Sequence, residues 1–125
     1  MPSHDNKSRG YFRTLHSALL KQLRPIRAEE LALKRKKSRT SAEEARLEEV
    51  IAKRREVAKN IVVLADTEDA YLRSAKGTAV ALRDLKAARD AAAKATRNLN
   101  KVNEALVTVS LVTKIITDLA RIFAA

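Results

Sequence analysis

The sequence predicts an all-α protein, either an elongated helical hairpin or a small helical bundle with coiled-coil-like heptad packing. Three observations lead there. The 125 residues hold only 2 Gly and 2 Pro, whereas a sheet protein of this length needs a turn signal about every 8–12 residues. The hydrophobic fraction of 46% is carried by Ala, Leu, Val and Ile, with no Trp and only 2 Phe and 2 Tyr, a composition suited to helices packed side by side. Finally, apolar residues recur at three- and four-residue steps over long stretches, the spacing that lines one helical face. A chain of this size forms one domain and buries roughly two-thirds of its unfolded surface if it folds compactly.

Taken in order, residues 1–8 are polar and without periodicity, and the expectation there is disorder. Phe12, Leu15, Leu19 and Leu23 fall at helical spacing, which predicts a first helix over about 11–24. Pro25 then stops or kinks it, because the ring removes a backbone donor and disfavours helical geometry at Arg24. A second short helix starts there, with Glu29 and Glu30 near its positive end and Lys34 to Lys37 near its negative end. Ser38-Arg39-Thr40-Ser41 is the clearest break. Ser41 with Glu44 three residues on reads as a capping box, so a helix is predicted from Ala42.

From Leu47 to Leu106, steps of three and four meet eighteen positions, including Val50, Val57, Ile61, Leu64, Glu68, Tyr71, Leu85, Ala92 and Leu99, and twelve of them are apolar. One register held this long belongs to a helix packed along its length against others. Asp66-Thr67-Glu68-Asp69, Lys76-Gly77-Thr78 and Arg97-Asn98-Leu99-Asn100 each offer a break, and the reversal falls at Gly77 or at Asn98. Ala87 to Ala95 is alanine-rich and lets neighbouring helices approach closely. The last segment is the most apolar: Leu99, Val102, Leu106, Val109, Thr113, Ile116, Ala120 and Phe123 keep the spacing. The expected organisation is a basic N-terminal arm with short helices over 1–40 and a long-helix hairpin or bundle over 41–125.

Charge is unevenly spread along this frame. Residues 1–40 hold 11 Lys/Arg and 3 Asp/Glu, net +8, and residues 41–125 hold 15 and 12, net +3, of a total of +11. Such asymmetry points to an arm that meets a polyanion, whether nucleic acid, an anionic membrane surface or an acidic protein. The candidate polyanion-binding residues are Arg24, Arg27, Lys34, Arg35, Lys36, Lys37 and Arg39. Five cations in the six-residue run Lys34 to Arg39 can neutralise phosphates and release counterions. A basic run also suits a helix C-terminus, and no aromatic residue is interleaved to stack on bases.

Several chemistries are excluded. With no cysteine there is no disulfide, thiolate or zinc-finger site. His4 and His16 cannot make a transition-metal site alone, and glycines only at positions 10 and 77 leave no phosphate loop. Asp66, Glu68 and Asp69 read as a dipole-complementing helix start rather than a cation site. No enzyme activity, cofactor or metal is expected. The opening residues lack an apolar run of about 7–15 residues, which makes the cytoplasm the expected compartment. Residues 105–125 have membrane length, but Lys114, Asp118 and Arg121 oppose insertion by about 7–10 kcal/mol against about 3–6 kcal/mol in favour.

The expected function is that of a non-enzymatic helical interaction protein, associating with itself or a helical protein partner through its heptad stripe, with the basic N-terminal third as a second contact surface. Interface residues are expected at Leu106, Val109, Ile116 and Phe123, and Val107, Leu111, Ile115 and Ile122 make the opposite side of that helix apolar too. A helix apolar over so much of its circumference is normally buried on more than one side. Nucleic-acid binding through the basic third, and membrane-peripheral action by the C-terminal helix, are the alternatives.

Overall fold

The structure, a computed structural model, describes residues 3–73, 79–99 and 101–123. They form four helices and no strand: α1 (Ser3–Arg35), α2 (Ser41–Arg73), α3 (Ala79–Ala95) and α4 (Val102–Phe123). The predicted all-α class and small-bundle architecture hold. Gly77 lies outside the described residues, while Asn98 falls in the Thr96–Asn98 turn that joins α3 to α4.

Buried residues run along α1 from Ser8 to Leu33. Its buried positions Phe12, Leu19, Ile26 and Leu33 are seven residues apart, and Ser8, Leu15 and Gln22 form the second row. The expected disorder at the start and the expected stop at Pro25 are both overturned: α1 begins at Ser3 and is helical through Pro25. Proline in a helix interior costs about 3 kcal/mol. Here the fully buried Leu19, Gln22 and Ile26 on either side hold the segment in place. The carbonyl that loses its donor belongs to Lys21, whose side chain is exposed, so water can satisfy it. Residues 1–40 are thus not a basic arm of short helices set apart from the rest. They supply one helix that packs against all three others.

Between α1 and α2, the cap sits one residue earlier than expected. The Thr40 hydroxyl accepts from the Glu43 amide at 3.1 Å, and the Glu43 carboxylate accepts from the Thr40 amide at 2.9 Å. The Glu44 amide donates to the Thr40 carbonyl at 2.9 Å, the first intrahelical bond, so Thr40 is the N-cap. Both Thr40-x-x-Glu43 and Ser41-x-x-Glu44 satisfy the motif, and the hydrogen bonds form at the former. The break expected at Asp66–Asp69 is absent. Thr67 is buried inside α2 and donates to the Val63 carbonyl at 2.7 Å.

Five contacts give the topology. The Phe12 and Tyr71 rings meet edge to face at 5.7 Å, which sets α1 antiparallel to α2. Tyr71 meets Phe123 the same way at 4.9 Å, and Asn60 donates to Thr113 at 2.8 Å, so α4 runs parallel to α2. Gln22 reaches Thr108 at 3.0 Å across antiparallel α1 and α4. The Arg89 guanidinium lies 4.6 Å over the Tyr11 ring, which places α3 beside α1. Among the described residues α2 and α3 do not touch, so α1 and α4 hold the close diagonal of the bundle. Small residues on α3, with Ala81 and Ala92 flanking Leu85 in the core, permit that approach.

Val50, Val57, Leu64 and Tyr71 of α2 keep seven-residue steps in the core. The second row is displaced by one residue, since Asn60 and Thr67 are buried where Ile61 and Glu68 were expected. Asn60 binds Thr113, which in turn donates to Glu56 at 2.7 Å. Buried polar pairs of this kind fix the register of α4 against its neighbours, because a slip would leave each donor unsatisfied.

Candidate interaction surfaces

The four residues expected at an interface are used inside the chain. Leu106, Val109, Ile116 and Phe123 are all buried in the bundle core, against residues of α1, α2 and α3. A charge at Ile116 would therefore break the fold itself. The other side of α4 is what remains open: Val107 is 78% exposed, Leu111 51% and Ile122 42%. Ile115 is half-buried at the edge facing α3. Beside it runs a groove of about 360 Å³ between α3 and α4, with Ala87 and Ala88 on one wall, Ile115 and Ile122 on the other, and Asp84 and Asp118 at its rim.

The seven candidate polyanion contacts divide into two groups. Lys34, Lys36 and Arg39 are engaged with acids around the α1–α2 connection. Lys34 pairs with Glu30 at 2.6 Å, Lys36 pairs with Glu43, and Arg39 pairs with Glu44 at 2.7 Å while donating to the Leu33 carbonyl at 3.1 Å. Local electrostatics explain their place. The Lys36 ammonium and the Thr40 amide hold the Glu43 carboxyl at about 2. Hydrogen bonds from Lys34 and Arg54 lower the buried Glu30 carboxyl below the ordinary carboxylate range, against the opposing effect of burial. Arg24, Arg27, Arg35 and Lys37 are exposed and make no ion pair among the described residues.

Two positively charged residues that the basic run did not single out, Arg9 and Arg13, line a groove of about 500 Å³ between α1 and α2 together with His16 and Glu68. Their signal was spacing along α1 rather than density in the sequence. Among the described residues no group of His, Asp and Glu is arranged to hold a metal ion, and no helix is long and apolar enough to cross a membrane. Asp66, Glu68 and Asp69 lie mid-helix, with Asp69 paired to Arg73 at 3.3 Å. Comparison with protein-family models, curated proteins and solved structures finds no match for this chain.

Proposed function

We propose that the chain is a non-enzymatic helical interaction protein that pairs with a second copy of itself through the outer face of α4. One observation supports this reading above the others: α4 fills the core with one face, yet leaves Val107, Leu111 and Ile122 open to solvent on the other. Exposed apolar side chains along one helical face, here Val107 and Leu111 at one end and Ile122 at the other with Lys114 and Asp118 between them, mark contact sites. Alanines at the α3 wall let a partner helix approach closely.

Charge favours a two-fold partner. Lys114 and Asp118 are exposed on this face, one turn apart, and neither has an ion-pair partner in the chain among the described residues. In an isologous contact residue i meets j and j meets i. An antiparallel α4 pair centred near Ile116 therefore sets Lys114 of each copy against Asp118 of the other. A cysteine-free sequence suits the reducing cytoplasm, where we place the assembly. A helical protein of another kind is the second candidate occupant of the same face.

The charge pattern can be tested by size-exclusion chromatography with light scattering. Lys114→Glu sets like charges together and shifts the mass toward the monomer, and adding Asp118→Lys restores the dimer with the signs exchanged. Two variants of equal mass to the parent, or a double variant that stays monomeric, would refute the antiparallel pairing.

A further inference from the structure

The outer face of α1 carries a feature that self-association through α4 does not use. Arg13, Arg24 and Arg35 are eleven residues apart, a spacing that keeps side chains nearly in line along a helix. Arg9 and Arg27 flank that line. All five are exposed, and none makes an ion pair among the described residues. Between residues 7 and 35 the acids on α1 are Glu29 and Glu30 alone. Both turn toward the bundle, Glu30 buried and Glu29 half-buried. Glu68 of α2 borders the face only at the edge near Arg9 and Arg13. Apart from Glu68 at that end, the face from Arg13 to Arg35 is a line of arginines without an acid of α1 among them, on a rod whose other side is fixed by packing.

The span of the line matches the repeat of a duplex. At about 1.5 Å rise per residue, Arg13, Arg24 and Arg35 stand about 16.5 Å apart and span about 33 Å. A line along a DNA duplex parallel to its axis meets the same sugar–phosphate strand once in each turn of about 34–36 Å, the span of Arg13 to Arg35. It crosses the other strand between them at unequal distances set by the two grooves, on the stretch that Arg24 faces. Arginine suits such contacts because its planar fork binds a phosphate through two parallel hydrogen bonds. The geometry points to α1 as a binding surface for the phosphate backbone of double-stranded DNA, lying along the duplex and reading no base sequence. An anionic membrane fits less well. The apolar side of α1 is spent on the core, and only Leu20 and Leu31, 43% and 51% exposed, share the arginine face. Two half-exposed leucines leave little apolar surface to insert beside the arginines, far less than an acyl chain provides.

The test is fluorescence anisotropy on a duplex of arbitrary sequence about 30 base pairs long, over a series of salt concentrations. Each phosphate contact contributes about −0.9 to the slope of log K against log salt. The variant Arg13→Gln/Arg24→Gln/Arg35→Gln loses about 2–3 from that slope and roughly a hundredfold in affinity near 0.1 M salt. Arg24→Gln alone loses about 0.9 of slope. The charge-matched control Arg55→Gln/Lys59→Gln/Lys86→Gln, all at exposed positions on α2 and α3, keeps the parent slope. Equal losses in variant and control would reduce the effect to net charge and overturn the proposal. So would a parent chain that binds phosphatidylserine vesicles but not the duplex.

Discussion

Gln22→Leu is expected to stabilise the protein, although it removes a hydrogen bond. Gln22 is fully buried at a heptad position between Leu15 and Ile26. Its Nε2 donates to the Thr108 hydroxyl at 3.0 Å, and that hydroxyl donates onward to the Ala105 carbonyl at 2.8 Å. The Oε1 of Gln22 has no hydrogen-bond partner among the described residues. Removing an orphaned buried acceptor relieves about 1–3 kcal/mol, and losing one neutral hydrogen bond costs about 0.5–1.5 kcal/mol. Thr108 keeps its donor satisfied by Ala105, so little new penalty arises. Leucine of similar volume then adds apolar burial against Leu19 and Ile26. The net expectation is about 1–2 kcal/mol of added stability and a Tm higher by roughly 3–8 °C. Urea unfolding followed by circular dichroism measures it, with an unchanged slope against denaturant as the sign that both states keep their compactness. A lowered midpoint at the same slope would refute the reasoning, because Oε1 would then have to be satisfied in the folded state.

Two further perturbations follow from the polar network. Thr40→Ala removes the cap of α2 and costs about 0.5–2 kcal/mol, while Ser41→Ala stays within about 0.5 kcal/mol; thermal melts giving the opposite order would move the cap back to Ser41. Lys34 and Arg54 lower the Glu30 carboxyl in the folded state relative to the unfolded chain, so the ionised group stabilises the fold above the ordinary glutamate value of 4.5. That stability is lost as pH falls through the lowered folded-state value. The stability gap between parent and Glu30→Gln in denaturant titrations should be widest near neutrality and close in acid, and a gap independent of pH would contradict the assignment.

Much of this bundle was legible wherever apolar residues occupy the heptad positions. Val50, Val57, Leu64 and Tyr71 of α2, and Val109, Ile116 and Phe123 of α4, recur at seven-residue steps in the sequence and are buried in the core. Legibility failed where the core positions are polar. Ser8, Gln22, Asn60 and Thr67 are buried, but hydrophobic periodicity has no means of counting them, so the first turns of α1 were lost and the second row of α2 was misplaced by one residue. At Pro25 the local backbone cost is visible in the sequence, but the packing of Leu19, Gln22 and Ile26 on either side of it is not. For the candidate surfaces the ambiguity was different in kind. Two apolar faces of α4 were visible, but only the bundle decides which one is covered, and it covers Leu106, Val109, Ile116 and Phe123. The basic run drew attention by density. Lys36 and Arg39 tie the α1–α2 connection to the start of α2 and Lys34 pairs within α1, while the arginines of the outer face are dispersed over α1 at a spacing that matters only on a continuous helix.

Sedimentation equilibrium of the parent chain and Leu111→Asp over a wide concentration range tests the central claim most directly. Leu111 is half-exposed and outside the core, so the substitution leaves the helicity of the bundle intact while placing a charge in the seam between copies. Self-association through α4 predicts a parent mass approaching twice the 13.9 kDa of the chain, and a variant that stays at the chain mass. A parent chain that remains at 13.9 kDa at every concentration would contradict it.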